Sequence, residues 1–319
     1  MVKGFKYIIA TAVLIFMGLP LYGVQAGEKV NLRLNLRPGE LYPIYVKTFN
    51  RVEKVTRGDR IEDKEELGAG YTFKTLEVDR NGRMRVQLNY ESVYYKLDSP
   101  RGLLVYDSGD SNSVPPPELK AQASFVGKSL SLVFTEEGKV EDVAGTEKLI
   151  EAILDDYGVK DEEKRKAIRD SLGKLIGKDA IRRTVEELIN IFPGRPVGVG
   201  ESWQKTRHYT QRGIRMTSKK IFTLKAIEDN VAVISVKTKD VSGDDPVEMA
   251  GLTLHYNITG EQSGEIRVDL ATGWILSGKL KQQTSGTVTI EENPNIPQGP
   301  PPIYIAVNGS IDYSPKRNW

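Results

Sequence analysis

Apolar and polar residues alternate along most of this chain with a period of two residues. Near the start, Leu32, Leu34 and Leu36 alternate with polar residues. This period is typical of β-strands that bury one face. We therefore expect a strand around residues 32–36. By the same pattern, further strands are predicted at residues 42–55, 71–78, 84–95, 129–134, 200–210, 216–227, 231–241, 252–258, 264–270, 274–284, 287–290 and 303–313.

Turn-forming residues separate these strands. Residues 79–82 (Asp-Arg-Asn-Gly) and residues 228–230 (Glu-Asp-Asn) are predicted hairpin turns, because Asn and Gly adopt the positive φ that tight turns need. The charged residues 58–66 are predicted to form a loop or a strand edge. Residues 107–117 are polar, end in three prolines and are predicted to form a loop.

The middle of the chain has apolar residues spaced three and four apart, which indicates amphipathic helices. We expect a first helix capped by Thr146, a second capped by Asp161 and a third beginning at Asp179. Phe192-Pro193-Gly194 would end the third helix. Each helix has to bury its apolar side, and the predicted sheet is the surface available.

Segments of the two halves resemble each other. Residues 38–42 and 199–203 both contain Gly-Glu, one further residue and an aromatic residue. Two more pairs match, residues 73–88 with 222–236 and residues 130–140 with 266–275. Chance similarity among antiparallel strands is the alternative to a true repeat.

We therefore predict an α+β fold with two repeated antiparallel units, each a curved sheet or partial barrel, and a helical segment inserted between them. The units would be residues 27–145 and 197–319, with helices in residues 146–196. The second unit would include a proline-rich linker at 294–302 and a C-terminal strand.

The first 26 residues have the features of a secretory signal peptide. Lys3 and Lys6 precede an apolar run at residues 7–21, and Val24-Gln25-Ala26 places small residues where signal peptidase cleaves. A retained anchor is the alternative, but a membrane span needs about 20 apolar residues. No cysteine follows the run, which excludes a lipoprotein anchor. We expect a periplasmic or extracellular protein without a stable transmembrane anchor.

Composition excludes several classes of function. Cleavage would remove two of the 45 Lys and Arg residues and none of the 43 Asp and Glu residues, so the mature chain is almost neutral. Nucleic-acid binding needs a basic surface, and no basic cluster is present. The absence of cysteine rules out disulfides, zinc–thiolate sites and cysteine nucleophiles.

No motif assigns a catalytic, metal or cofactor site, and the ligand-binding residues stay unknown. His208 and His255 lie in predicted strands, and we interpret them as surface residues rather than as a metal pair or part of a catalytic triad. Gly127-Lys128-Ser129 resembles the end of a phosphate-binding loop, but Ala123 replaces the required glycine and a strand follows.

Asp107, Asp110 and Asn112 lie together in a predicted loop and offer oxygen ligands for calcium. Their spacing differs from that of the standard twelve-residue calcium loop. We interpret this segment as a solvated turn.

Many aromatic residues fall in predicted strands: Tyr42, Tyr71, Phe73, Tyr90, Tyr94, Tyr95, Trp203, Phe222, Tyr256 and Trp274. The first interpretation is packing in the sheet core and between neighbouring strands. The alternative is an apolar cavity under a curved sheet, closed by the central helices and able to hold a lipid or another hydrophobic ligand.

Two segments carry a resemblance to a known family. In residues 192–203 a helix end leads into Pro, Val and Gly-Glu-Ser-Trp, and in residues 264–273 a strand with Asp is followed by Thr-Gly. Both are similar to signatures of a family of exported, β-rich bacterial proteins known only as a domain of unknown function. The resemblance covers most of the mature chain and implies no particular activity.

Three hypotheses of function follow. The favoured one is a non-enzymatic envelope module that binds a hydrophobic or extended ligand in an apolar pocket in each half. The second is an envelope protein that pairs with another protein through a sheet edge or residues 297–302, with solid cores and an exposed apolar patch. The third is a hydrolase in which His208 or His255 contacts a serine or a carboxylate in a cleft.

We expect the exported protein to begin at Gly27. Intact-mass measurement of the secreted or periplasmic protein checks this, since cleavage after Ala26 removes a defined mass. A mass that still contains the first 26 residues would show a retained anchor instead.

Overall fold

The computed structural model describes residues 29–211, 213–249, 252–291 and 300–319. The predicted signal peptide and most of the proline-rich linker lie outside these ranges. Within them, the strands are β1 Leu41–Thr56, β2 Asp59–Val78, β3 Met84–Ser99, β4 Gly102–Asp107, β5 Ser129–Phe134, β6 Val140–Ala144, β7 Ser202–Gln211, β8 Ile214–Glu228, β9 Val231–Ser242, β10 Val247–Met249, β11 Leu252–Asp269, β12 Ile275–Ile290 and β13 Ile303–Ser314. The helices are α1 Lys120–Ala123, α2 Thr146–Asp156, α3 Glu162–Ile176 and α4 Lys178–Ile189, and a 3-10 turn, Pro117–Leu119, precedes α1.

All thirteen described strands belong to one curved antiparallel sheet. Its order is β6-β5-β3-β2-β1-β13-β12-β11-β9-β8-β7, with β4 beside β3 and β10 beside β11. The prediction of a mainly antiparallel α+β protein is confirmed. The two predicted units are not separate sheets, because β13 pairs with β1 on one side and with β12 on the other.

The strands on the two sides of β13 follow equivalent orders, β6-β5-β3-β2-β1 and β12-β11-β9-β8-β7. A turn at the start of each group is also held in the same way. The amide of Gly39 donates to the carbonyl of Thr75 at 2.8 Å, and the amide of Gly200 donates to the carbonyl of Leu224 at 2.7 Å. The internal repeat itself stays a prediction.

One face of the sheet, here called the inner face, carries the core. Alternate residues of the strands point to this face, and the helices pack on it. The largest fully buried side chains include Ile44, Phe73, Phe134, Leu224 and Ile234. Burial of such side chains contributes about 1.5–3 kcal/mol each, so the core holds both groups of strands to one layer of helices.

The strand predicted around residues 32–36 is wrong, although its alternation is real. Leu32, Leu34 and Leu36 are at most 2% exposed, yet this segment belongs to no strand of the sheet. Its backbone is bonded to loops: the amide of Leu34 donates to the carbonyl of Glu136, and that of Asn35 to the carbonyl of Thr272. An alternating pattern indicates that one side of an extended segment is buried. An extended segment that crosses the ends of loops shows the same pattern as a strand of a sheet.

Several other boundaries differ from the prediction. Residues 58–66 are predicted to form a loop or a strand edge, but residues 59–66 belong to β2, which lies between β1 and β3. Ion pairs with β1, such as Lys54 with Asp63 at 3.2 Å, replace apolar contacts there. The four strands predicted between residues 252 and 290 merge into two long ones, β11 and β12.

The three central helices are present, two of them with changed starts. Asp161 caps α3 as predicted and accepts a hydrogen bond from the amide of Lys164 at 2.8 Å. Thr146 is not a cap, because Gly145 occupies that position with φ 96° and Thr146 is buried in the first turn. Helix α4 begins at Lys178, one residue before the predicted Asp179. No helix in the described part of the chain is long and apolar enough to span a membrane.

Helix α4 is in contact with both end strands of the sheet. On β6, the amide of Val140 donates to Glu186 at 2.9 Å, and Arg182 donates to the carbonyl of Val140 at 3.1 Å. On β7, Arg207 pairs with Glu187 at 2.8 Å. The sheet therefore curves until its two ends approach one helix. On the β6 side, α4 side chains satisfy edge backbone groups that would otherwise stay unpaired.

Gly273→Ala is expected to destabilise the protein far more than Gly39→Ala. Both glycines have positive φ, 72° and 84°, which costs a residue with a Cβ about 1–2 kcal/mol. A Cβ at Gly273 would lie 2.1 Å from the carbonyl oxygen of Arg33, whereas no described atom lies within 4 Å of one at Gly39. The clash should add about 1–3 kcal/mol.

Urea unfolding of the two variants measures the difference in the free energy of unfolding. Equal losses would show that the buried segment at residues 32–36 does not constrain the turn at Gly273.

Candidate functional site

A partly enclosed cavity of about 550 Å³ lies between the inner face and the helices. Its wall consists of residues of β1, β2, β3 and β13, among them Val46, Ala69 and Tyr313. Leu172 of α3 and Leu188 of α4 cover it on the helix side. No residue of β7 to β12 is among those lining it. The cavity is thus formed by the first group of strands, the last strand and the central helices.

Local sequence explains the helix side of the cavity. Leu172 and Ile176 are one turn apart on α3, and Ile181, Val185 and Leu188 follow one side of α4. Residues three and four apart share a helix face, so both helices present an apolar stripe to the sheet. Their side chains close the cavity from above.

Two tyrosines reach the inner face where the pairing of β2 and β3 is irregular. The register between these strands shifts between Gly70 and Tyr71. The rings of Tyr71 and Tyr90 meet edge-on, with centroids 5.5 Å apart, and Tyr90 lies 5.4 Å from the ring of Phe125. This aromatic group connects the sheet to the segment after α1.

The hydroxyl groups of Tyr71, Tyr90 and Tyr313 make no hydrogen bond to any other described residue. Burial raises the pKa of Tyr71 and of Tyr90, and burial together with nearby Glu187 raises the pKa of Tyr313 to about 12. The three phenols are therefore neutral near pH 7. Each can donate one hydrogen bond to a ligand in the cavity.

Glu187 of α4 lines the cavity and holds two cations of the C-terminal strands. It pairs with Arg207 of β7 at 2.8 Å and with Lys220 of β8. These pairs connect the helix above the cavity to the far end of the sheet. Two positive charges that face the inner side thus share one carboxylate.

Ion pairs join α2 to α3. Glu151 accepts hydrogen bonds from Arg165 at 2.7 Å and from Arg169 at 2.6 Å. These two guanidinium groups, Arg169 first, lower the pKa of the Glu151 carboxyl to about 2. Helix α3, which covers the cavity, is therefore tied to α2 by charge.

The histidines singled out in the sequence are not brought together. His208 on β7 contacts the hydroxyl of Thr217 at 3.0 Å, and His255 on β11 contacts the carboxylate of Glu291 at 2.5 Å. Strands β8 and β9 lie between β7 and β11. Neither histidine lines the cavity.

The predicted loop at residues 107–117 uses its oxygens locally. Asp107 accepts the amide of Gly109 at 2.8 Å and pairs with Arg317, and Asp110 accepts the amide of Asn112 at 2.9 Å. Across the described ranges, no three His, Asp or Glu residues are grouped so as to hold a metal ion.

Lys128 of the Gly-Lys-Ser segment pairs with Asp156 at 2.7 Å. Gly127 lies in a turn before β5, so the segment leads into a strand and not into a helix, as the sequence predicted.

Both interpretations of the aromatic residues are partly right. Tyr42, Trp203, Phe222 and Trp274 are buried in the core, whereas Tyr71, Phe73, Tyr90 and Tyr94 line the cavity. Sequence reasoning missed the contribution of β13, whose Ile311 and Tyr313 complete the wall. Their alternation in the last strand was visible, but not their pairing with β1.

Comparison with protein families gives one match. Residues 81–275 match a family described as "Family of unknown function (DUF6263)". The match covers more than half of the chain. The chain belongs to the DUF6263 family. The predicted resemblance to a domain of unknown function is therefore confirmed, while the description of DUF6263 gives no activity. A comparison with curated proteins gives no match.

Solved structures similar to this DUF6263 chain share little sequence with it. Lipovitellin, in a structure titled for lipid–protein interactions, is 8% identical with a TM-score of 0.43, and the match covers 87% of this chain and 25% of lipovitellin. DynF of the dynemicin pathway of Micromonospora chersina is 7% identical with a TM-score of 0.18, covering 97% and 92% of the two chains. OmpT of Vibrio cholerae, an outer membrane protein, is 7% identical with a TM-score of 0.18, covering 87% and 100%. The chain spans about a quarter of the length of lipovitellin.

Tyr90→Phe is expected to change the free energy of unfolding by less than about 0.5 kcal/mol, because the lost hydroxyl has no protein partner. Tyr42→Phe is the matched control. Its hydroxyl accepts the amide of Arg37 and donates to Glu40, each at 2.8 Å, so its loss should cost about 1–3 kcal/mol.

Urea unfolding at pH 7 compares both variants with the parent protein. A cost for Tyr90→Phe as large as that for Tyr42→Phe would mean that the Tyr90 hydroxyl is bonded inside the protein, and would contradict its assignment to the cavity.

Proposed function

We propose that this protein is a non-catalytic binding module that holds a hydrophobic, lipid-like ligand between its sheet and its helices. The observation that carries the proposal is the cavity of about 550 Å³ with a mainly apolar lining. Sites for small molecules typically measure about 300–1,000 Å³ and combine apolar walls with a few polar groups. Here those polar groups include the three unpaired phenols and Ser92, whose hydroxyl is buried without a partner among the described residues.

The exposure of the lining supports the same proposal. Val46, Tyr71, Leu188 and Ile311 pack against the core but remain only partly buried. In a filled interior such side chains would be fully buried. Each methylene group of a ligand that covers them contributes about 0.8 kcal/mol. An apolar chain therefore has a large area to bury here.

The two other hypotheses have less support. The protein–protein interaction hypothesis predicted a solid core, which the cavity does not fit. Among the large exposed apolar residues, Leu103 is 65% exposed in a peripheral strand and Val114 is 79% exposed in a peripheral loop. A hydrolase was expected to use His208 or His255, and both lie away from the cavity.

Export is part of the proposal. The signal peptide predicted in residues 1–26 would deliver the protein to the periplasm or the exterior, where a soluble carrier or sensor of hydrophobic molecules has a role. We also propose that the two halves arose by duplication, since equivalent strand orders flank β13. Only the first half contributes strands other than β13 to this cavity.

We expect the protein to bind cis-parinaric acid, a fatty acid that fluoresces in apolar surroundings. The double variant Val46→Trp/Ala69→Phe fills the cavity from two neighbouring strands. Displacing about two methylene groups, at about 0.8 kcal/mol each, should weaken binding about tenfold. Val105→Trp, on an exposed valine of β4, is the control and should bind as the parent does.

Unfolding midpoints of both variants establish that they are folded. Native mass spectrometry of protein purified without detergent is the second readout, and a stoichiometric mass lost on organic extraction is expected. Equal affinity in the filled and control variants, or no binding of the fatty acid by the parent, would refute the proposed function.

A further inference from the structure

A row of three amide side chains continues the cavity wall along the inner face. Asn50 of β1, Gln282 of β12 and Gln262 of β11 lie side by side, with Gly309 of β13 between the first two. We call these three residues the amide row. Asn50 and Gly309 are each two residues along their strands from Thr48 and Ile311, which line the cavity. The amide row therefore borders the cavity directly.

Gly309 allows the row to form. Asn50 and Gln282 belong to strands that are not neighbours, and β13 runs between them. A Cβ at Gly309 would lie 2.5 Å from Oδ1 of Asn50 and 3.2 Å from Nε2 of Gln282. A side chain at that position would separate the two amides. Its absence lets Gln282 donate to Asn50 across the intervening strand.

The amide row leaves hydrogen-bonding groups free at both of its ends. Gln282 donates to Asn50 at 2.5 Å, and Gln262 donates to Gln282 at 3.5 Å. Among the described residues, the Asn50 amino group and the Gln262 carbonyl have no side-chain partner. Reversing all three amides only exchanges the ends, so one donor group and one acceptor remain free in either arrangement.

Two cations near the amide row share one carboxylate. Arg207 and Lys220 both pair with Glu187. Burial raises the pKa of Asp240 and lowers the pKa of Lys205, so this surface disfavours an added charge of either sign. The three amides carry no charge themselves, and the charged residues in register with them include Glu65, opposite Asn50 on β2, and Lys220, opposite Thr238 on β8. Burying an unpaired charge is costly.

We infer that the ligand is an amphiphile whose uncharged, hydroxyl-rich headgroup lies on the amide row while its apolar tail fills the cavity. This inference rests on the proposed function. A hydroxyl group both donates and accepts, as the two free ends of the row require. A sugar and a glycerol headgroup share this chemistry.

Four amphiphiles with twelve-carbon chains test the inference: dodecyl maltoside, monolauroyl glycerol, laurate and dodecyltrimethylammonium. Each competes with cis-parinaric acid for the purified protein below its micelle concentration. At least one hydroxylated compound should compete about tenfold more strongly than laurate and than the cation, since two net hydrogen bonds provide about that factor. The stronger of the maltoside and the glyceride distinguishes a sugar head from a glycerol head.

Gln262→Leu/Gln282→Leu should remove this preference and leave laurate binding within about twofold, because the cavity itself is unchanged. Gln283→Leu is the matched control. It changes the next residue of β12, which is exposed on the opposite face, and should keep the preference. If the double variant does not fold, the single variant Gln262→Leu takes its place. Among the described residues, the Gln262 side chain makes one long hydrogen bond, to Gln282 at 3.5 Å, so its loss should disturb the fold least.

The outcomes separate the two proposals. Equal competition by all four compounds, a preference for a charged head, or a preference that survives loss of the amides would overturn the headgroup inference and leave the cavity proposal intact. Failure of the parent protein to bind the fatty acid at all would overturn both.

Discussion

The pairing of β13 with β1 and β12 is the interaction on which the rest of the structure depends. Its ladder runs from Tyr45 to Val55 on one side and from Gly278 to Val288 on the other. Without it, β1 and β12 would each have an open edge of unpaired backbone groups. With it, two groups of strands become one sheet long enough to curve until β6 and β7 both approach α4. The order of the strands in the sequence does not indicate this arrangement, because the strand that joins the two groups is the last one in the chain.

The cavity follows from that curvature and from the small number of helices. Helices α3 and α4 cover β1, β2, β3 and β13, and their apolar stripes are too far from the sheet to fill the space beneath them. Tyr71, Tyr90 and Phe125 narrow the space from one side. Only a partly filled interior leaves so many apolar side chains of the core half-exposed.

The sequence predicted most strands and all three central helices, because one-sided burial produces periods that local reasoning detects. The sequence prediction failed where a buried side chain does not belong to a paired strand, or where a paired strand lacks buried apolar side chains. Leu34 is buried in the core although its backbone bonds to a loop and not to a strand, and Asp63 is paired within a sheet without being apolar. The aromatic residues suggested a cavity as one of two interpretations, but the sequence did not show which strands would form its wall. That wall depends on Ile311 lying opposite Thr48, a pairing between residues far apart in the chain.

The unpaired polar groups are the strongest argument that the interior is built for a ligand. An unsatisfied buried polar group typically costs about 1–3 kcal/mol. Tyr42 shows that this chain can pair a buried phenol fully, with Arg37 and Glu40. The hydroxyls of Tyr71, Tyr90 and Tyr313 and the ends of the amide row lack such partners among the described residues, and they remain accessible rather than fully buried. The hydroxyl of Ser92, which lines the same cavity, is buried without a partner in the described part of the chain. Apolar side chains would serve stability at these positions equally well. Since stability alone gives no reason to keep these groups, their position around one cavity is best explained by a molecule that completes their hydrogen bonds.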